Sequence, residues 1–183
     1  MFRYCDDVVI CCQNQRDAER VKKGLANRLT KYKLKMNEEK TRFVLFSKRK
    51  FRQGERQGTF DFLGFTNYLG LSRRGTIIPK IRTSGQRFRS KLKRVNQWAK
   101  SIRNKAPLNR IWELFCSKIR GHIQYYGVSH NCAQINIFLQ GATRIVFKWL
   151  NRRSQRKSFT WESFRIFMKK NPIPEARIAH RMF

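Results

Sequence analysis

Near residue 80 the spacing of apolar side chains changes from about every second residue to about every 3.6, the repeats of a strand and of a helix. That change limits the chain to strands before it and helices after it, an α+β fold. Upstream, Phe2 and Tyr4 and then Val8 to Cys12 form two short β-rich runs around Asp6-Asp7. They predict a hairpin with two carboxylates at its tip and flanking side chains that alternate into a core. Residues 15–33 place Ala18, Val21, Leu25, Leu29 and Tyr32 on one face of a helix. Asn37 to Thr41 reads as a polar turn, Phe43 to Phe46 as a buried strand, 47–58 as a basic loop, and Phe60 to Phe65 as a further strand. A second hairpin is expected at 65–80, with arms Phe65 to Leu69 and Thr76 to Lys80 and with Arg73-Arg74-Gly75 near its turn.

Downstream, three amphipathic helices follow with short links, the pattern of a small bundle. The first starts at a capping box, Thr83 with Gln86, and carries Phe88, Leu92, Val95, Ala99 and Ile102 on one stripe. The second opens at Pro107, carries Leu108, Ile111, Trp112, Phe115, Ile119, Ile123 and Tyr126, and ends at Gly127. The third runs from Cys132 to Leu150 through Ile135, Phe138, Leu139, Ala142, Val146 and Trp149. A basic linker at 151–157 precedes a last short helix after Thr160, with Trp161, Phe164 and Phe167 facing inward and Pro172 and Pro174 stopping it. Gly121 lies inside the second helix, where it costs about 1 kcal/mol relative to Ala; a close helix–helix approach would account for it.

Charge narrows the partners. The chain carries 42 Lys and Arg against 11 Asp and Glu, a net +31, and a compact state of that charge repels itself unless a polyanion screens it. Residues 1–64 hold a net +8 and residues 65–183 a net +23, so the second half is the expected polyanion-binding surface. No long apolar run or N-terminal signal pattern is present, which favours nucleic acid over a membrane and a cytoplasmic location. With 40% hydrophobic residues and 15 Phe, a packed core is within reach, so wholesale disorder is excluded. The five cysteines (Cys5, Cys11, Cys12, Cys116 and Cys132) form no CxxC pair. His122, His130 and Cys132 lack a fourth ligand, so reduced, buried thiols are the expectation rather than zinc.

Most of the acids lie in the first half, and there the chemistry has to be sought. Nucleotidyl transfer uses divalent metals to activate a primer hydroxyl and hold a triphosphate. Magnesium prefers hard oxygen ligands, which adjacent carboxylates on a tight turn present. Tyr4-Cys5-Asp6-Asp7 between two β-rich runs meets that description. From spacing alone a metal-holding turn and a solvated turn both fit.

In sequence order, Arg3-Tyr4-Cys5-Asp6-Asp7, Asn37-Glu38-Glu39-Lys40-Thr41, Phe60-Asp61-Phe62-Leu63-Gly64-Phe65, Arg120-Gly121-His122 with Tyr125-Tyr126-Gly127, Lys148 to Ser154, and Ser158-Phe159-Thr160-Trp161 resemble the group II intron reverse transcriptase/maturase family. The first is similar to its YxDD box, the third to its FxFLGF segment, and the fourth to the RGH…YYG stretch of its maturase domain. The resemblance implies a partial palm over 1–80, an α-helical thumb or maturase (X) domain over 83–150, and a basic extension over 151–183 with a short helix. It makes Asp6 and Asp7 two of three catalytic, Mg2+-binding aspartates. It places Tyr4, Lys40, Phe62, Leu63 and Gly64 in the primer/template region. Cys5 stands where Ala is usual in the family. The family's fingers and third aspartate lie upstream of YxDD, so the expectation is that the chain alone has no reverse transcriptase activity, and a separate palm–fingers fragment becomes a possible partner. No HNH-like pattern follows residue 150, so no DNA-cleaving domain is expected. Implied partners are group II intron RNA and an RNA template with its DNA primer, with splicing assistance as an implied role.

The helix at 86–103 has Arg87, Arg89, Lys91, Lys93 and Arg94 opposite its apolar stripe, with too few acids for intrahelical pairing to explain them. These cations, with Arg120, Arg152 and Arg153, are the expected RNA contacts. Tyr126 lies on the apolar stripe and reads as core, whereas Tyr125 is the surface candidate for stacking on a base. His122 is open between a phosphate contact and a structural histidine. Trp98, Trp112, Trp149 and Trp161 read as core. Two other functions stay open, a stand-alone RNA-binding module whose palm remnant is a scaffold or dimerisation element, and a degenerate gene product.

Overall fold

The computed structural model describes residues 1–154 and 159–182. The basic linker expected at 151–157 and Ser158 of the last motif lie partly or wholly outside the described residues. The fold is α+β, with strands and short helices first and helices from residue 85 onward. Two compact units can be distinguished. One comprises Met1–Leu63 and Tyr68–Ile78, the other Gly64–Asn67 and the residues from Pro79 on.

The first unit opens with β1 (Phe2–Tyr4) and β2 (Asp7–Val9), antiparallel, with Phe2 opposite Val9 and Tyr4 opposite Asp7. The helix α1 (Gln15–Lys31) forms where its periodicity puts it, but none of its residues is buried. Ala18, Leu25 and Leu29 are half-buried, while Val21 and Tyr32 are exposed. Phe43 to Phe46 is not a buried strand. The segment is irregular, and Phe43 and Leu45 are 56% and 63% exposed. The expected core around the hairpin is absent too, with Phe2 and Tyr4 exposed. Alternation marks which side chains would be buried, but burial needs a second layer, and none of the described elements covers these. Fully burying a large apolar side chain is worth about 1.5–3 kcal/mol, a gain these residues forgo.

Three further boundaries differ from expectation. The basic loop contains a helical turn, α2 (Lys48–Arg52), whose N-cap Ser47 accepts a hydrogen bond from the Lys50 N–H at 3.3 Å. The 60–65 segment is not one strand: β3 (Phe60–Phe62) and β4 (Phe65–Leu71) are joined by Leu63-Gly64. Both residues have positive φ, +50° and +81°, as a two-residue hairpin turn of the I′ kind requires. The third strand, β5 (Ile77–Thr83), completes the order β3-β4-β5, and its hairpin with β4 has longer arms than expected.

The helical unit holds the core. Its helices are α3 (Gly85–Ile102), α4 (Leu108–Tyr126), α5 (Cys132–Leu150) and α6 (Trp161–Lys170). The expected stripes are the ones that meet: Ile111, Trp112, Phe115, Ile119, Ile123 and Tyr126 of α4 pack with Ile135, Phe138, Ala142, Val146 and Trp149 of α5. The cap of α3 is Ser84, one residue later than read from sequence; its Oγ accepts from the Arg87 N–H, and Thr83 belongs to β5. Gly121 allows no close helix approach, because a Cβ there would meet nothing within 4 Å. Gly141 does, since a Cβ on it would lie 3.3 Å from a Leu92 methyl of α3.

Thr160 and Ser163 form the capping box of α6, which buries Phe164 completely. Trp161 is 44% exposed rather than core, with one ring face stacked on Phe147 at 3.8 Å. After α6 the chain returns to the end of α4, where the Ala179 and His180 N–H groups donate to the Gly127 carbonyl at 2.6 and 2.9 Å. Backbone crowds Gly127 here: a Cβ would lie 2.7 Å from the Arg177 carbonyl oxygen.

Candidate nucleic-acid interface and carboxylate turn

Hairpin pairing fixes the carboxylates. With Tyr4 opposite Asp7, the two-residue turn is Cys5-Asp6 and Asp7 opens β2, so the tip is shifted by one residue from Asp6-Asp7. Cys5 has φ +49°, a left-handed conformation uncommon for a residue with a Cβ, and its carbonyl accepts from the Arg3 Nε at 3.0 Å. Asp6, Asp7 and Tyr4 are all exposed. Hard oxygens of two consecutive carboxylates suit Mg2+, which commonly takes one or two carboxylates and completes its octahedron with water and phosphate oxygens. No group of three or more His, Cys, Asp or Glu that could hold a metal occurs among the described residues.

Lys40 lies in the expected polar turn, where Asn37 Oδ1 accepts its N–H at 3.1 Å and the Thr41 hydroxyl donates to the Asn37 carbonyl at 2.7 Å. Phe62 ends β3 and is half-buried, and Leu63 and Gly64 form the tight turn. The thiols depart from the expected burial: Cys5, Cys11 and Cys12 are exposed, Cys116 is buried, and Cys132 is intermediate. Burial pushes the Cys116 thiol pKa up, which keeps it protonated.

In the helical unit the fixed stripe of α3 turns Arg87, Arg89, Lys93 and Arg94 to solvent, with Lys91 half-buried. Lys50–Glu55 and Arg110–Glu113 are ion pairs, and among the described residues no cation of α3 is ion-paired. Arg120 is exposed on α4. Arg152 lies with its guanidinium 5.4 Å from the Trp149 ring centre, and Arg103 covers the same indole at 4.9 Å. Arg153 is half-buried and donates to the Ala106 carbonyl at 3.0 Å, so part of its role is to hold the link between α3 and α4.

His122 is placed in the core. It is 7% exposed and stacks on Phe138 at 3.7 Å, 12° from parallel. Its Nδ1 has no hydrogen-bond partner. Burial, with the Lys91 ammonium adding to it, lowers its pKa to about 4. Tyr126 is buried as expected, while Tyr125 is 54% exposed and stacks on Phe65, 5.9 Å between ring centres and 11° from parallel.

Sequence reasoning missed Asn131. Its side chain is wholly buried: Oδ1 accepts from the Thr83 N–H at 2.8 Å, and Nδ2 donates to Thr83 Oγ1 at 2.9 Å and to the Tyr126 carbonyl at 2.8 Å. The available signal was an Asn at the N-cap position of α5, just after the positive-φ His130. A cap, however, predicts a bond to its own helix, and this side chain makes none.

Residues 1–67 match the model of the reverse transcriptase (RNA-dependent DNA polymerase) family. The N-terminal part of the chain is thus a partial reverse transcriptase domain, and that family binds nucleic acid and typically uses Mg2+. Searches of curated proteins and of solved structures gave no match. No helix among the described residues is long and apolar enough to cross a membrane.

Proposed function

We propose that the chain carries the end of the palm and the thumb/maturase part of a group II intron reverse transcriptase. In this reading it acts in the cytoplasm, binds intron RNA, assists splicing and contributes to copying RNA into DNA. The observation that carries the reading is the outward row Arg87, Arg89, Lys93 and Arg94 on α3, a helix whose other side is held by the core and whose cations have no ion pair among the described residues. Such a row suits a phosphate backbone, and its affinity comes from released counterions. The ordered motifs from Tyr4 to Trp161 support the assignment to intron-encoded proteins.

In the polymerase half, Asp6 and Asp7 would hold Mg2+, and Tyr4, Lys40 and the Phe62-Leu63-Gly64 turn would lie along primer and template. Bound there, the metal would activate the primer hydroxyl and neutralise the triphosphate. This chain's own residues would supply carboxylate oxygens on a short paired hairpin, with the Arg3 side chain bonded across the turn.

Binding of an intron RNA to the purified chain is measured across salt concentrations. Each neutralisation, Arg89→Gln or Lys93→Gln, is expected to weaken binding uniformly across sequences and to reduce the log–log salt slope by about 1. Unchanged slopes would remove α3 from the interface. The polymerase half is tested by adding a palm–fingers fragment in trans and following magnesium-dependent primer extension. Extension should depend on Asp6 and be lost in Asp6→Ala. Salt-dependent binding with no rescue would favour a binding module.

A further inference from the structure

We infer that the solvent face of α4 is a seat for one unpaired RNA base, with Tyr125 as its stacking platform and Gly121 as the floor over which the strand passes. The inference rests on the RNA-binding reading above and adds a site to it. Gly121 is exposed in the middle of α4, its φ is not positive, and a Cβ there would meet nothing within 4 Å. Among the described residues, neither packing nor backbone conformation therefore calls for glycine. A mid-helix glycine nonetheless lowers helix stability relative to alanine. What the missing side chain supplies is access from outside.

Tyr125 is one turn further along the same face, and helical side chains lean back over the preceding turn. The ring does not fill the space above Gly121, because it stacks on Phe65 instead. It is held at a second edge by Tyr126, 4.8 Å away and 71° from parallel, and is still 54% exposed. A ring fixed on two sides loses little freedom when a base stacks on it.

Charge at the seat is positive. Arg87 lies beside the Gly64 turn that leads into Phe65, where a Cβ built on Gly64 would be 3.6 Å from the Arg87 Cγ. The one acid of α4, Glu113, is two turns away and paired with Arg110. An aromatic face beside a cation fits an unpaired nucleotide; a duplex presents phosphates and grooves but no open base face.

The test compares binding of the full 183-residue chain to a single-stranded RNA oligomer containing 2-aminopurine and to a blunt RNA duplex of equal length. Wild type is expected to quench the fluorescent base. Tyr125→Leu should weaken single-strand binding by about tenfold and remove the quench while leaving duplex binding unchanged; Tyr125→Phe should behave as wild type. Gly121→Leu should raise the melting temperature yet weaken the single strand, because a good helix former fills the path. The inference is overturned if Gly121→Leu binds at full affinity, or if Tyr125→Leu binds the single strand as wild type does or loses duplex in equal proportion. If wild type binds neither RNA in a salt-dependent way, the RNA-binding reading itself fails; if that binding is intact and Tyr125→Leu changes nothing, only the base seat is lost.

Discussion

Replacing Asn131 by Ala is expected to destabilise the helical unit by about 3 kcal/mol, seen as a lower urea midpoint with an unchanged denaturant slope. The amide is wholly buried and serves two segments far apart in sequence, the end of β5 through Thr83 and the end of α4 through the Tyr126 carbonyl. Alanine removes the acceptor of the buried Thr83 N–H, and an orphaned donor costs about 1–3 kcal/mol before any cavity is counted. The Tyr126 carbonyl suffers less, because the Val128 N–H also donates to it. Thr83→Val should couple with Asn131→Ala in a double-mutant cycle, since their side chains share a hydrogen bond. Strict additivity, or a loss below about 1 kcal/mol, would show that the clamp contributes little.

Acid is expected to weaken the same unit through His122. With its pKa at about 4 in the folded chain and near 6.5 when unfolded, His122 takes up a proton more readily in the unfolded state. Its contribution is complete above pH 6.5, declines as the pH falls, and is fully lost below about 4, a change of about 3 kcal/mol. Urea unfolding of wild type and His122→Phe at pH 7, 5 and 4 isolates the effect. Phe can keep the stack on Phe138 without a titrating nitrogen, so its stability should change less across that window. Parallel pH profiles for the two proteins would refute the assignment.

Both residues belong to features the sequence hints at but does not resolve. Arg120-Gly121-His122 is visible as a motif, but only packing shows its three residues doing different things. Arg120 points to solvent, Gly121 leaves open space, and His122 is stacked inside the core. Successive helical residues are separated by about 100°, so a contiguous motif need not be one site. Likewise Arg152 and Arg153 are adjacent, yet one covers an indole and the other holds a backbone carbonyl.

By itself the sequence determined the α+β class, the helix stripes from Phe88 to Trp149, the carboxylate-bearing hairpin and the basic surface. Those follow from local periodicity and charge, which the chain carries wherever it folds. Only the tertiary structure decided that Phe43 to Phe46 is irregular and exposed, that Phe60 to Phe65 is broken by a two-residue turn, and that Gly141 rather than Gly121 brings helices together. It also decided that Asn131 bonds to Thr83, 48 residues away in sequence. Each of these depends on what a residue meets across space, and apolar character or a glycine fixes only what it could meet.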